Sequence, residues 1–569
     1  MTINKINLNG REDIPVSVEL EGGLYNGVVM LRPQELPCIK INDANFIFFT
    51  EPTDYELINF KSTDTNFTLH YCTISGNTVY GQYLTAKTNN TIEFDAIEIN
   101  IKDFQKLING FPRQGKIVNN VYSLPLNEGN FDVEINNHKK IKRIYDYWNY
   151  WTDEDNEEGL TSKLFQQHII RAEAKNPLKI DDVYNEVRLL STFFSMITLI
   201  NHSLNYIWLI KKERDAETKY PYYFSQIINE TKDYNWYNSF INLKLLTNEQ
   251  WHRFFNNAHH DEKFTHIWKK LCGMRSYKGY WEFDILGHIS ILDSWLENEY
   301  SCNRRKIPEA LKKKLNSIIK DCGRYFDGNE EKAYNVLKQH LTVSVKQKGI
   351  SFTARYDRMS KSIPFEIRNA IGLTNERFQK VKKLRDYIAH SNINLKTDGI
   401  NFTEIFSIRN SVIILLTYIS MRDIGVTDQE FSEFCLQNTN QTLLTSKFER
   451  KWINRYLKSA FIVNLTAEDA SKIRNKTDIV ISEDKSGQQY YQENLSRQVK
   501  GLWMMMMGNN KTMQELIQEN LCVKDYKNYR CEQIGLMHIY YGEDDFLEIQ
   551  QTYLIKECQI NEDNCNTNF

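Results

Sequence analysis

Six short runs rich in β-branched and aromatic residues lie between Val16 and about Val133: VSVELEG, LYNGVVML, FIFF, FTLHYCTI, VYGQYL and IEFDAIEINI. Asn, Gly, Asp and Thr separate them, so each run ends where a chain turns most readily. Segments this short, at this spacing, bury their apolar side chains by pairing across a sheet. A sandwich-like or barrel-like β-rich domain is the expected result. Gly22-Gly23 and Gly76-Asn77 read as turns, and the region holds neither a P-loop nor a glycine-rich dinucleotide fingerprint, so no cofactor is indicated.

A strand-like FQQHIIRAEA follows, then a helix from about Asp182 to Met196 with Val183, Val187, Leu190 and Phe193 on one face, then the strand-like NYIWLI. These close or extend a domain spanning residues 1–228. The acidic run from Asp153 to Glu158 reads as a solvated loop. Residues 229–274 read as a helical connector. Within it the segment from Thr247 to His266 opens with a capping pair, Thr247 and Gln250, and contains His252, His259, His260 and His266. Their spacings match no standard zinc pattern and no cysteine lies among them, so no metal site is assigned.

From residue 275 to 428 the period changes to that of helices. Phe283, Leu286, Ile289, Leu292, Trp295 and Leu296 are expected to face inward from a helix at Tyr280 to Tyr300, with His288 packed or at the surface. Helices near Pro308 to Cys322 and Glu330 to His340 follow, then a basic, loop-like SFTARYDRMSK. A strongly apolar helix from Thr403 to Ile424, stopped by Gly425, supplies the bulk of a bundle core. Residues 429–569 mix helix-like FERKWINRYLKSAF with strand-like TDIVISE. They carry a Trp503-Met504-Met505-Met506-Met507 run suited to a core or interface, and Cys522, Cys531, Cys558 and Cys565, which lack a CxxC knuckle.

The chemistry concentrates at Arg385-Asp386-Tyr387-Ile388-Ala389-His390. A helix from Asn375 to His390 buries Phe378, Val381, Leu384 and Ile388, while Lys382, Lys383 and Asp386 fall away from that stripe. Thr374 or Asn375 can cap its start. Arginine offers a planar fork for phosphate oxygens and stays charged, and histidine moves protons near neutral pH. Residues five apart stand about 140° apart on an ideal helix. Arg385 and His390 therefore converge only if the last turn loosens or a second subunit completes the site. The bland alternative is a histidine on the helix C-terminal dipole and an arginine paired with a carboxylate.

An Arg followed by a polar residue and, five positions on, by His at a helix end resembles the HEPN ribonuclease motif. The layout of a β-rich half followed by a helical region, over roughly residues 10 to 430, looks like the ApeA group of bacterial abortive-infection proteins. The resemblance implies a HEPN endoribonuclease active in antiviral defence, with tRNA as substrate class. It also implies a homodimer or higher even-numbered oligomer whose shared cleft holds two Arg and two His, and a possible phage-encoded trigger. Arg253 and His259 in RFFNNAH show a similar loose spacing, but Phe254 follows the arginine and no family context supports that copy.

The 569-residue chain has a net charge of −2, unevenly spread. From Ser301 to His390 there are 21 Lys and Arg against 9 Asp and Glu, and the remainder is acidic. Such polarity suits a polyanion binder, and Lys382, Lys383, Arg355 and Arg358 are the candidate RNA contacts. Solvated helix faces are the alternative. The start MTINKINLNGREDIP lacks an apolar signal core, and the apolar stretch Met196 to Ile210 is broken by Asn201, His202 and Asn205. Scattered cysteines fit reduced thiols. A cytoplasmic protein without a membrane span is expected. The rival functions are a non-catalytic scaffold that binds a partner through its β-domain and dimerises through its helices, and a metal-dependent hydrolase.

Overall fold

The structure, a computed structural model, describes residues 6–44, 46, 49–88, 93–108, 116–118, 121–123, 129–136, 138–154, 162–214, 216–226, 238–260, 262–300, 309–322, 324, 330, 334–336, 350–389, 401–437, 439–473, 477–484, 486–506, 511–518, 529–542 and 545–557. The chain divides into two compact units, Met1–Pro364 with Ile371–Phe448, and Phe365–Ala370 with Glu449–Phe569.

The β-rich expectation holds. Strands β1 (Glu12–Leu20) and β2 (Gly23–Leu31) form a hairpin in which Leu20 faces Gly23. The two intervening residues, Glu21 (φ 48°) and Gly22 (φ 80°), are both left-handed, which matches the right-handed twist of the flanking strands. Alternation then buries Val16, Val18 and Leu20 on one face. Strands β3 (Cys38–Ile41), β4 (Phe49–Lys61), β5 (Asn66–Gly76) and β6 (Thr78–Ala86) complete a ring, because β5 pairs with both β4 and β6. The ring order is β6-β3-β2-β1-β4-β5, a barrel whose pairings leave none of its six strands as a free edge.

An arm continues from β6 through β14 (Ala216–Phe224), β13 (Leu204–Glu213), β7 (Phe94–Ile101), β12 (Ser162–Leu178), β11 (Ile141–Glu154) and β10 (Asp132–Glu134). Lys116–Val118 (β8) and Val121–Ser123 (β9) form a separate two-stranded pair. Charges buried in the arm are partnered, as their desolvation requires. Asp146 meets His168 at 2.8 Å, and Arg171 meets Glu98 at 2.9 Å.

After the short helix α1 (Gln105–Ile108), helix α2 (Ile180–Thr198) packs on β7 and β12 and buries the anticipated face, Val183, Val187, Leu190 and Phe193. Helices α3 (Asn248–Ala258) and α4 (Glu262–Arg275) dock against this layer: the Phe193 and Phe255 rings stack with centroids 4.6 Å apart, and buried His259 meets Glu186 of α2 at 2.9 Å. Thr247 and Gln250 make the expected capping box.

The bundle comprises α5 (Trp281–Tyr300), α6 (Glu309–Cys322), α7 (Phe352–Ser360), α9 (Asn375–Ala389), α10 (Phe402–Asp423) and α11 (Asp428–Gln437), while the intervening α8 (Phe365–Ile371) falls almost wholly in the second unit. Helix α10 is capped by Asn401, whose side chain accepts from the Glu404 amide at 2.8 Å, and Gly425 beyond its end adopts φ 88°. By length and composition α10 is apolar enough to cross a membrane, yet 72% of that stretch is buried, as befits the core helix of a bundle.

Two expectations are corrected here. Phe283 is 59% exposed, and α5 instead buries Ile285, Ile289, Leu292 and Leu296 together with Asp284 and His288. Positions repeated strictly every three residues drift around a helix, so Phe283 and Leu292 stand on opposite sides. SFTARYDRMSK is helical rather than loop-like. Ser351 caps α7, and Phe352, Arg355, Tyr356 and Met359 form its buried face. A buried arginine at the second position of that face hid the helical period. The helix anticipated from Glu330 to His340 lies mostly outside the described residues, with one helical turn at 334–336.

The C-terminal unit is mixed. Its five-stranded sheet runs β15 (Phe461–Asn464), β18 (Tyr529–Tyr540), β19 (Phe546–Glu557), β16 (Thr477–Glu483), β17 (Gln489–Tyr491), and TDIVISE is β16. Pairs β15/β18 and β16/β19 are parallel.

Candidate active site

Three helices meet around Arg385. Helix α7 lies against α9 through stacked Tyr356 and Phe378 rings, with centroids 3.6 Å apart, and the Tyr356 hydroxyl donates to the Leu373 carbonyl just before α9. Thr374 caps α9, accepting from the Arg377 amide at 3.4 Å. Burial of Phe378, Val381 and Leu384 sets the helix's rotation, and Arg385 follows one position after Leu384, at the edge of the buried face.

Arg385 is held from three sides. Its Nη1 donates to Asp293 Oδ2 of α5 at 2.9 Å, while Nε and Nη2 donate to Asp386 Oδ1 at 3.2 and 3.0 Å. The guanidinium lies 4.8 Å over the Phe352 ring of α7. Three of the five N–H groups are so engaged, leaving one on each terminal nitrogen on a side chain that is 25% exposed. Asp386 therefore sits against its neighbouring arginine and stays 45% exposed.

Asp293 also accepts from Arg355 Nη2 at 2.7 Å, so one carboxylate bridges two guanidinium groups that would otherwise repel. Glu297, one turn further along α5, lies 3.5 Å from Arg355 Nη1. Arg355 itself is buried at 8% exposure. The expectation that Arg355 meets RNA at the surface is thus corrected: it turns inward to carboxylates of α5, because a charge at a buried helix position must find a partner.

The other candidates are placed differently. Lys383 and Arg358 are exposed and Lys382 is half-buried. Arg358 Nη1 reaches the Tyr300 carbonyl at 3.5 Å. His390 lies outside the described residues, directly after the last residue of α9, as does most of the basic tract from 301 to 349. The second Arg-to-His spacing is absorbed into structural pairs, Arg253 with Glu430 at 2.5 Å and His259 with Glu186. Among the described residues no group of three or more His, Cys, Asp or Glu is placed to hold a metal. Cys531 is buried, and Cys522, Cys558 and Cys565 fall outside the described residues.

Sequence reasoning missed Asp293. The available signal was an acidic residue directly after Leu292, at the margin of an apolar helix face, with Glu297 four positions on. Its two arginine partners lie 62 and 92 residues away in the chain.

A helical bundle here sets an arginine and a following acidic residue at the end of one helix, buttressed by a carboxylate from another. Residues 286–430 match the family model described as Apea-like HEPN, a span that contains Asp293, Arg355, Arg385, Asp386 and His390. Over that span the bundle, which follows a β-rich region, is similar to Apea-like HEPN domains. Comparisons with curated proteins and with solved structures give no match.

Proposed function

We propose that this protein is a metal-independent HEPN endoribonuclease of antiviral abortive infection, acting in the cytoplasm on RNA, with tRNA as the substrate class. The observation that carries the reading is the family match over 286–430, with Arg385, fixed by Asp293 and Asp386, five positions before His390 in the sequence. The 2′-hydroxyl attacks phosphorus and the bond to the 5′-oxygen breaks. His390 accepts the 2′-hydroxyl proton or supplies one to the leaving 5′-oxygen. Arg385 turns its two remaining N–H groups to the phosphorane, whose extra negative charge strengthens that contact in the transition state. Asp386 orients the guanidinium. The products are a 2′,3′-cyclic phosphate and a 5′-hydroxyl. Lys382, Lys383 and Arg358 supply phosphate contacts, and two copies pair so that both Arg–His sets line one cleft. A phage-encoded trigger releases the activity.

A second reading has a specific observation in its favour: Arg385 is already paired with two carboxylates, as in a purely structural ion-pair network. On that reading the bundle dimerises and the β-domain binds a partner without cleavage.

Cells expressing the wild-type chain, His390→Ala or Arg385→Ala, with and without phage, separate the two once each variant is shown to fold. New 5′-hydroxyl RNA ends only with wild type support the nuclease. Protection by both variants with unchanged RNA ends supports the scaffold.

A further inference from the structure

A cavity of about 610 Å³ opens between the end of α2, the end of α4 and the side of α10, and its lining shares no residue with the arginine site. Its lining carries three cations, Arg275, Lys278 and Arg409, and among the described residues no carboxylate. Arg409 is partly neutralised from behind, its Nε lying 2.8 Å from Asp284. Arg275 is not. Its Nη2 donates to the Ser195 carbonyl at 2.7 Å and reaches Cys272 Sγ at 3.3 Å, and among the described residues no carboxylate pairs with it and its Nε and Nη1 find no acceptor. A guanidinium with unanswered donors and no counter-charge costs free energy until an anion arrives.

The rest of the wall mixes hydrogen-bonded polar groups with apolar ones. Asn410 donates to Thr445 Oγ1 at 2.7 Å, and Asn440, which caps the turn at Gln441–Leu444, donates to the Asn238 carbonyl at 2.8 Å. Leu199, Ile200 and Ile413 add apolar surface. A pocket of several hundred cubic ångströms, at the junction of two structural regions, with a few fixed polar groups and a small apolar surface, is the usual form of a small-molecule site. Excess positive charge selects an anion, and the arginine fork selects phosphate or carboxylate oxygens.

We propose that this cavity binds a phosphorylated small molecule of nucleotide size, its phosphate on Arg275 and Lys278 and its body against Asn410, Asn440 and Ile413. The proposal goes beyond the nuclease reading and is independent of it, since the cavity shares no residue with Arg385, Asp386 or His390.

The test uses the full-length protein, calorimetric titration and thermal unfolding with a panel of nucleoside mono-, di- and triphosphates. Inorganic phosphate and a short RNA without terminal phosphates serve as further probes. Lys278→Glu, at an exposed position, and Arg275→Gln are the variants. At least one nucleotide is expected to bind wild type and raise its unfolding temperature, with affinity reduced tenfold or more in Lys278→Glu. Should Arg275→Gln fold poorly, Lys278→Glu alone decides. The proposal is overturned if no nucleotide binds at millimolar concentration, or if Lys278→Glu binds as tightly as wild type. It is also overturned if inorganic phosphate binds as tightly as every nucleotide, or if only the RNA binds.

Discussion

Asp293 of α5 holds Arg385 of α9 at 2.9 Å through one carboxylate oxygen and Arg355 of α7 at 2.7 Å through the other. One acidic side chain thereby fixes three helices and the only arginine of the R-D-x-x-x-H motif. Among the described residues, Asp293→Ala leaves buried Arg355 only the 3.5 Å contact to Glu297, and a destabilisation of about 1–3 kcal/mol is expected. Denaturant unfolding measures it. An unchanged midpoint would show that the bridge contributes no stability.

Replacing Arg385 tests its chemistry apart from its charge. On the nuclease reading, Arg385→Ala lowers single-turnover RNA cleavage by about 10²–10³-fold, the usual cost of one transition-state donor. Arg385→Lys keeps the charge but loses the fork, so it restores only part of that rate. Full activity in either variant rules out guanidinium stabilisation of the phosphorane.

Acid weakens the β-rich region through two buried histidines. Burial lowers His70 to about 4, with the Asp181 charge opposing, and lowers His202 to about 3, helped by the Arg275 charge. Both rings stay neutral in the folded state while the unfolded chain takes up protons below about pH 6.5. Stability is therefore undiminished above that pH and is lost as the pH falls toward 4, by up to roughly 3 kcal/mol for His70. Unfolding temperatures of wild type and His70→Gln between pH 4 and 8 check this. Parallel curves for the two proteins would exclude His70 as a source.

His259 has the opposite sign. Burial disfavours its charged form, but the Glu186 carboxylate and the Phe255 carbonyl outweigh that, and its pKa is raised. The pair therefore stabilises the α2–α3 contact fully below about pH 6.5 and fades as pH rises through the raised value. Glu186→Gln should abolish this component, leaving a steeper net loss of stability on acidification than in wild type. An identical pH profile in the variant would contradict it.

Gly425 ends the core helix α10 with φ 88°, and a Cβ there would come within 2.5 Å of Asn257 Nδ2. Gly425→Ala combines left-handed strain with that clash, so a loss above about 1 kcal/mol is expected. Thermal unfolding measures it, and an unchanged transition would show that the helix end relaxes freely.

What the sequence determined by itself was local. Period-two runs from Val16 onward specified strands, the three-and-four spacing of Phe378, Val381 and Leu384 specified a helix with Arg385 at its margin, and Gly425 marked the end of the apolar helix that begins near Thr403. Each of these signals is complete within a few turns of chain. What only the tertiary structure decided was pairing at a distance. The closure of β5 onto β6, the inward turn of Arg355, the bridge from Asp293 and the cations gathered at Arg275, Lys278 and Arg409 all join segments far apart in sequence. Burial makes each such charge seek a partner, and which partner it finds depends on helix packing that no local period encodes.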